Sequence, residues 1–362
     1  MVQSKFFRVG LGIALVLIII YLASLVDFIF QPISLLIRTL FAPIAIAGVF
    51  YYLMRPLVNL LSKKVPRGLS ILIVFLALIG LGTGSVLLVG PEIQKQTQSF
   101  IDNVPSYINQ GQDMLLQLQE NEYVQRFQES NENSFNDLVE QFTGNLEGYV
   151  SAIGSNIAKI VGAIANVVIV LVIVPFVLFY LLKEGDKAPA FLLKFIPSKQ
   201  REEARRILSD MDNALSSYLQ GQILVSVCVG VLCLILYLSI GIEYALVLAI
   251  VAMLTNVIPF IGPWIGTAPA VIVAIFDSPF MVVAVIVGVL IIQQIESNLI
   301  SPQIMGRQLN IHPVTIIFLL LAASRFAGLL GLLLAVPTYA VGKVVVSHTY
   351  RLIKLNRRKP VD

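Results

Sequence analysis

The sequence predicts an all-α, polytopic integral membrane protein, and three observations carry that prediction. First, 57% of the 362 residues are hydrophobic and 13% charged, where soluble chains have about a quarter charged; mean hydropathy is +0.87. Second, apolar runs long enough to cross a hydrocarbon core of roughly 30 Å recur along the whole chain. Third, basic residues gather in alternate loops, while one long loop is acidic. Broken or re-entrant segments and amphipathic helices outside the membrane complete the expected architecture.

Crossings are read at residues 9–29, 34–54, 69–90, 156–182, 222–240, 244–276, 280–300 and 313–341, about eight helices. The first is expected to be retained. Lys5 and Arg8 precede Leu11–Leu25 as in a signal sequence, but no cleavage site in a polar context follows, and a second span begins almost at once. Four basic clusters then fall on one side: Lys5 and Arg8; Arg55, Lys63, Lys64 and Arg67; Lys183 through Arg206; and Arg351 through Lys359. By the positive-inside rule that side is the cytoplasm, with both termini there.

The chain divides accordingly into a three-helix membrane segment (1–90), an acidic extracytoplasmic helical region (91–155), a fourth crossing (156–185), a cytoplasmic amphipathic helix (186–221), a C-terminal core (222–345) and a basic tail (346–362). From Glu92 to Glu147 there are ten acidic residues and two basic ones, Lys95 and Arg126. Apolar residues there recur at helical spacing, such as Ile93, Phe100 and Val104, then Phe135, Leu138 and Phe142, which predicts amphipathic helices in a cap or hairpin. In 194–222, Pro197 and Ser198 start a helix whose Ile207, Met211, Leu215 and Leu219 fall on one face. It is expected to lie along the inner surface before the chain turns into the next span; lipid, not nucleic acid, explains its cations.

Nothing points to catalysis, a metal or a cofactor. His312 and His348 lack ligands at metal spacing. Cys228 and Cys233 read as apolar packing residues. The "GLGTGS" run at 80–85 follows a hydrophobic helix rather than a strand, so Gly80 and Gly84 are expected to form a small-residue packing seam.

The exceptions gather in the C-terminal half. Asn256, Pro259, Gly262, Pro263, Gly266 and Pro269 interrupt an apolar run; either a kinked packing helix or a discontinuous, re-entrant element accommodates them. Gln293, Gln294, Glu296 and Asn298 put polarity near the end of the next run, before Pro302. Glu296 is either an interfacial carboxylate or a functional group within the membrane. In 324–343, Arg325 is the one cation inside an apolar stretch that ends at Lys343 and is loosened by Gly328, Gly331 and Pro337; Glu296 is its obvious partner by chemistry, with their meeting left open by the sequence. Two interrupted segments flanking one polar-ended helix suit a pathway between paired broken elements.

The ordered stretches "FYLLKEGDK" (179–187), "YLQGQ" (218–222), "NVIPFIGPWIG" (256–266), "IESNLISPQIMGRQLNIHP" (295–313) and "GLLGLLLAVP" (328–337) resemble the AI-2E transporter family of prokaryotic membrane proteins. The resemblance is strong over residues 160–345 and general over the first three spans. It implies an eight-span secondary transporter that exports the quorum signal autoinducer-2 or exchanges sodium or lithium for protons, and an oligomer, possibly a pentamer. Ser324–Arg325 depart from the small residues, often glycine, usual there. Three functions stay open: export of a small polar solute past Asn256, Gln293, Gln294, Glu296 and Asn298; monovalent cation/proton antiport on Glu296 or Asp277; and a non-transporting scaffold that binds a partner through 91–155.

Overall fold

A computed structural model describes residues 10–12, 14–15, 17–18, 27–119, 167–305 and 311–356. The expected first span and residues 120–155 of the acidic region therefore lie outside most of what is described. Among the described residues every regular element is helical. Five stretches are long and apolar enough to cross a membrane: Thr39–Leu61, Arg67–Asn103, Arg201–Ile240, Pro279–Met305 and Val314–His348.

The N-terminal half is a bundle of α1 (Asp27–Leu61), α2 (Arg67–Gln119) and α3 (Val167–Glu184). Ala47, Tyr51 and Val58 of α1 bury against Ile71 and Val74 of α2 and Val174, Leu178 and Leu182 of α3. α2 passes Pro91 and Pro105 without ending and so runs well beyond its apolar part. Among the described residues nothing stands within 4 Å of a Cβ placed on Gly80 or Gly84, so no packing seam forms there between them. At the basic end, Arg55 makes a two-pronged bond to Asp212 (2.9 and 2.7 Å), tying this bundle to the next helix.

That helix, α4 (Arg201–Ile240), is continuous for 40 residues. The expected surface helix and the following span are thus one element, with no break at 221/222. No proline lies between Gln200 and Gly241, so the hydrogen-bond ladder has no reason to stop where polarity gives way to apolarity. The helix starts after a tight turn at Ser198–Gln200, close to the expected Pro197–Ser198 start.

The remaining core is two helical hairpins and one long broken helix. α5 (Ala245–Thr255) and α6 (Ile261–Asp277) are about 16 and 25 Å long at 1.5 Å per residue, each short of a bilayer's ~30 Å. They run back along each other. A Cβ on Gly262 would lie 2.0 Å from the Thr255 carbonyl oxygen, and one on Gly266 would lie 2.8 Å from Ala252 Cα. α7 (Pro279–Ile295) follows, started by the Ser278 hydroxyl accepting from Met281 N–H (3.1 Å). It continues through a widened turn, Glu296–Ile300, into α8 (Ser301–Met305).

The second hairpin hides in α9 (Pro313–Asn356). Its backbone leaves helical geometry at Ala327 and Gly328, where Gly328 takes φ +55°, a region open to glycine. In a straight helix, residues eight apart are separated by about 12 Å. Here a Cβ on Gly331 would lie 2.0 Å from the Ala323 carbonyl oxygen. The chain has doubled back, so that Ile316 and Leu320 of the first arm share one buried cluster with Ala335 and Val336 of the second, and with Ile258 at the tip of the first hairpin. Residues 244–276 and 313–341, expected among the crossings, are therefore fold-backs.

The far end of α2 closes the base of the first hairpin. Asn103 Nδ2 donates to Tyr244 Oη (2.8 Å), Phe100 packs edge-on against the Tyr244 ring (5.5 Å), and Gln96 Oε1 accepts from Val247 N–H (3.3 Å). The last bond satisfies one of the four amides that any helix start leaves without a carbonyl.

Candidate functional site

The two hairpins, α4, α7 and α8 enclose a cavity of 1270 Å³. Its polar end is built where two breaks in regular structure meet, while a third lies at the tip of the second hairpin, whose arms lend Ile316 and Val336 to the lining. The first is the tip of the α5–α6 hairpin. Ile261 N–H donates to Pro259 C=O across one residue (2.7 Å), which holds Phe260 at φ +63°, ψ −44°. This is a γ-turn of the strained, positive-φ kind, costing on the order of 1–3 kcal/mol and persisting only where its surroundings hold it. It aims Phe260 and Trp264 at the cavity, which Pro259 and Pro263 also line.

The tip also places Asn256, which is 1% exposed. Its backbone C=O accepts from Gln222 Nε2 (2.8 Å), and its side-chain Nδ2 donates to Glu296 Oε1 (3.4 Å). Gln222 in turn is buried on α4, where its own C=O accepts from the Ser226 hydroxyl (2.8 Å). Freed backbone at membrane depth is thus satisfied by a side chain of a neighbouring helix, as an apolar surround requires.

The second break is at Glu296. Ser301 N–H bonds the Glu296 carbonyl five residues back, so the helix is wound one residue wider than α over Glu296–Ile300. Such single-turn widenings concentrate at functional sites. Glu296 lines the cavity and Gln293 stands beside the same carboxylate. Glu296 Oε2 is buried and makes no hydrogen bond among the described residues. A buried acceptor left bare costs about 1–3 kcal/mol, more when ionised. A proton, a water or a ligand at that oxygen would satisfy it.

The third break, Ala327–Gly328, brings Gly331 and Pro337 into the interior, and both are buried. The pairing of Arg325 with Glu296, which the sequence left open, does not occur: Arg325 is exposed and forms no ion pair with Glu296. The expected polar set also divides. Gln293 and Glu296 line the cavity, as does Pro302, whereas Asn298 Nδ2 donates to Gln294 Oε1 (3.0 Å) and both are exposed, with Gln294 on a separate shallow groove. Asp277 is exposed at the end of α6 and lines neither.

Sequence reading missed the α4 contribution: Asp210, Asn213, Ser217, Tyr218 and Gln222 all line the cavity. It also missed the clasp of His348, whose Nδ1 is 3.2 Å from Glu203 Oε1 and Nε2 3.0 Å from Asp210 Oδ2. The signal for α4 was present in polar residues that persist, at helical spacing, into the start of an apolar run. The clasp joins residues more than 130 apart and has no local signal. Among the described residues no group of three or more His, Cys, Asp or Glu side chains is arranged to hold a metal ion.

Fold and site together define a polytopic membrane protein of the broken-helix kind, organised around a cavity with a buried carboxylate. The sequence profile described as AI-2E family transporter matches residues 14–351, and the chain belongs to that family. It is similar to two Bacillus subtilis proteins that carry transport-protein names. YueF is 41% identical over 100% of this chain and 98% of its own, and YrrI is 32% identical over 93% and 94%. It is also similar to an Escherichia coli protein that carries a permease name, PerM, at 26% identity over 85% of this chain and 86% of its own. None of these names specifies a solute.

Proposed function

We propose that this protein is a secondary transporter that works by alternating access, with the two fold-back hairpins as its moving boundary and Glu296 as the group that exchanges a proton for a solute or monovalent cation. The observation that carries the reading is the buried, unpartnered Glu296 Oε2 at the edge of a cavity between broken helices. Ionisable groups inside a membrane mark ion and substrate paths, and discontinuous helices place such sites near the bilayer midplane.

Topology follows from charge. With the basic clusters cytoplasmic, the first hairpin enters from outside and the second from inside. Removing two crossings together keeps both termini on the cytoplasmic side of a prokaryotic plasma membrane. Paired re-entrant elements from opposite faces suit a pathway that opens to one side at a time.

The test is proton flux in liposomes carrying the purified protein, with sodium, lithium or the labelled signal molecule as co-solute. Glu296→Gln is expected to abolish coupled proton movement while the protein remains folded; undiminished coupling would overturn the role of Glu296. A second reading, export of a small neutral polar solute such as autoinducer-2, is favoured by the amides of Gln222, Asn256 and Gln293 around the same point. It expects solute flux that survives Glu296→Gln. A scaffold acting through 91–155 expects no flux of any solute.

A further inference from the structure

We propose that the cavity binds an amphipathic organic cation, with its charged head on the unpartnered oxygen of Glu296 and its apolar body on the wall around Trp264. The proposal rests on the transport reading above and names the solute class for that site. Its first support is the sign of the cavity's charge. The described residues that line it include two carboxylates, Glu296 and Asp210, and no lysine, arginine or histidine; Asp210 Oδ2 also stands 3.0 Å from His348 Nε2, so the sign rests chiefly on Glu296. A concave site with low-dielectric walls concentrates a field of one sign, so this one attracts cations and repels anions.

The second support is the bare oxygen itself. Asn256 already donates to Glu296 Oε1, while Oε2 has no donor among the described residues. A cationic head beside it would offset the buried charge, and a head that carries an N–H would also give the oxygen its donor.

The third is the wall. Phe260, Trp264, Val271, Ile286 and Leu290 line the cavity, and Trp264 is 78% exposed. Aromatic faces hold organic cations and apolar bodies alike. At 1270 Å³ the cavity exceeds the ~300–1,000 Å³ that suits a drug-sized ligand. A hydrated metal ion or a small polyol would leave most of that apolar wall uncovered, whereas a body of several rings would cover it.

Trp264 is the single tryptophan of the chain, so its fluorescence reports on this wall alone. The experiment titrates the full-length protein in detergent with tetraphenylphosphonium and with its charge-inverted isostere tetraphenylborate. Phosphonium is expected to quench Trp264 saturably, with at least about tenfold higher affinity than borate, and Glu296→Gln to lower phosphonium affinity about tenfold. Neutral triphenylphosphine oxide binding equally to wild type and Glu296→Gln would show that the cavity is intact in the variant. Equal binding of phosphonium and borate to the wild type overturns the proposal, as does wild-type phosphonium affinity in Glu296→Gln. If phosphonium fails to bind while sodium or lithium still drives Glu296-dependent proton flux in liposomes, the organic-cation class falls and the transporter reading stands. If phosphonium binds through Glu296 and no flux of any kind occurs, the site stands and the transporter reading falls.

Discussion

Replacing Gly262 by alanine is expected to pry open the first hairpin. The added Cβ would lie 2.0 Å from the Thr255 carbonyl oxygen, 2.6 Å from its carbon and 2.9 Å from Asn256 Cα. Ordinary contact begins near 3.4 Å, well beyond that 2.0 Å, so the arms must part by more than an ångström. Every one of these atoms is backbone, so no rotamer change relieves the clash. Overpacking of this kind costs about 1–3 kcal/mol. Displacing Asn256 also breaks the 2.8 Å bond from buried Gln222, worth another ~1–3 kcal/mol when its partner is stranded. The better helix propensity of alanine returns roughly 0.8 kcal/mol. The net is a loss of about 1–5 kcal/mol, accompanied by a misplaced Asn256–Glu296 pair. The assay is the thermal midpoint in detergent alongside proton flux in liposomes. Gly48→Ala serves as reference, because nothing lies within 4 Å of its Cβ. A Gly262→Ala protein as stable and as active as Gly48→Ala would refute the close hairpin.

Three further outcomes are expected. In a double-mutant cycle on Arg55 and Asp212, the coupling should be about 1 kcal/mol, modest because both side chains are partly solvated at 24% and 33% exposure; zero coupling in the detergent midpoint would remove this bond as the tie between the two halves. Arg325→Ala should shift stability by no more than about 0.5 kcal/mol and leave Glu296-dependent flux intact, since Arg325 is exposed and away from the carboxylate; loss of flux would restore the pairing that the structure withholds. For topology, cysteines placed at Glu243 and Asp277 in a background lacking Cys228 and Cys233 should react with an impermeant maleimide from the same face of the membrane, and cysteines at His312 and Val346 from the other. Labelling of Glu243→Cys and Asp277→Cys from opposite faces would make α5–α6 a crossing.

Much of the site was already legible in the order of residues. Gln293 and Glu296 are three apart and share one helical face, while Gln294 and Asn298 are four apart and share its neighbour. The division of the polar set was thus latent in the spacing, but which face met the cavity was not. Asn256 stood out through the breakers that follow it. Its bonds to Gln222 and Glu296 join residues 34 and 40 positions away, and no local pattern contains such pairings.

The sequence by itself determined the solvent, the helical class and the two C-terminal interruptions near Pro259 and Gly328. Hydropathy, charge placement, proline and glycine act through local physics: transfer to hydrocarbon, the positive-inside bias and missing or freed backbone bonds. Only the tertiary structure decided what each break does. A bend and a full reversal call for the same prolines and glycines, and the choice between them depends on whether the two arms find surfaces that let their backbones touch. At Gly262 against Thr255 and at Gly331 against Ala323 they do. Two apparent crossings thereby became paired hairpins, and Glu296 was left facing the space between them.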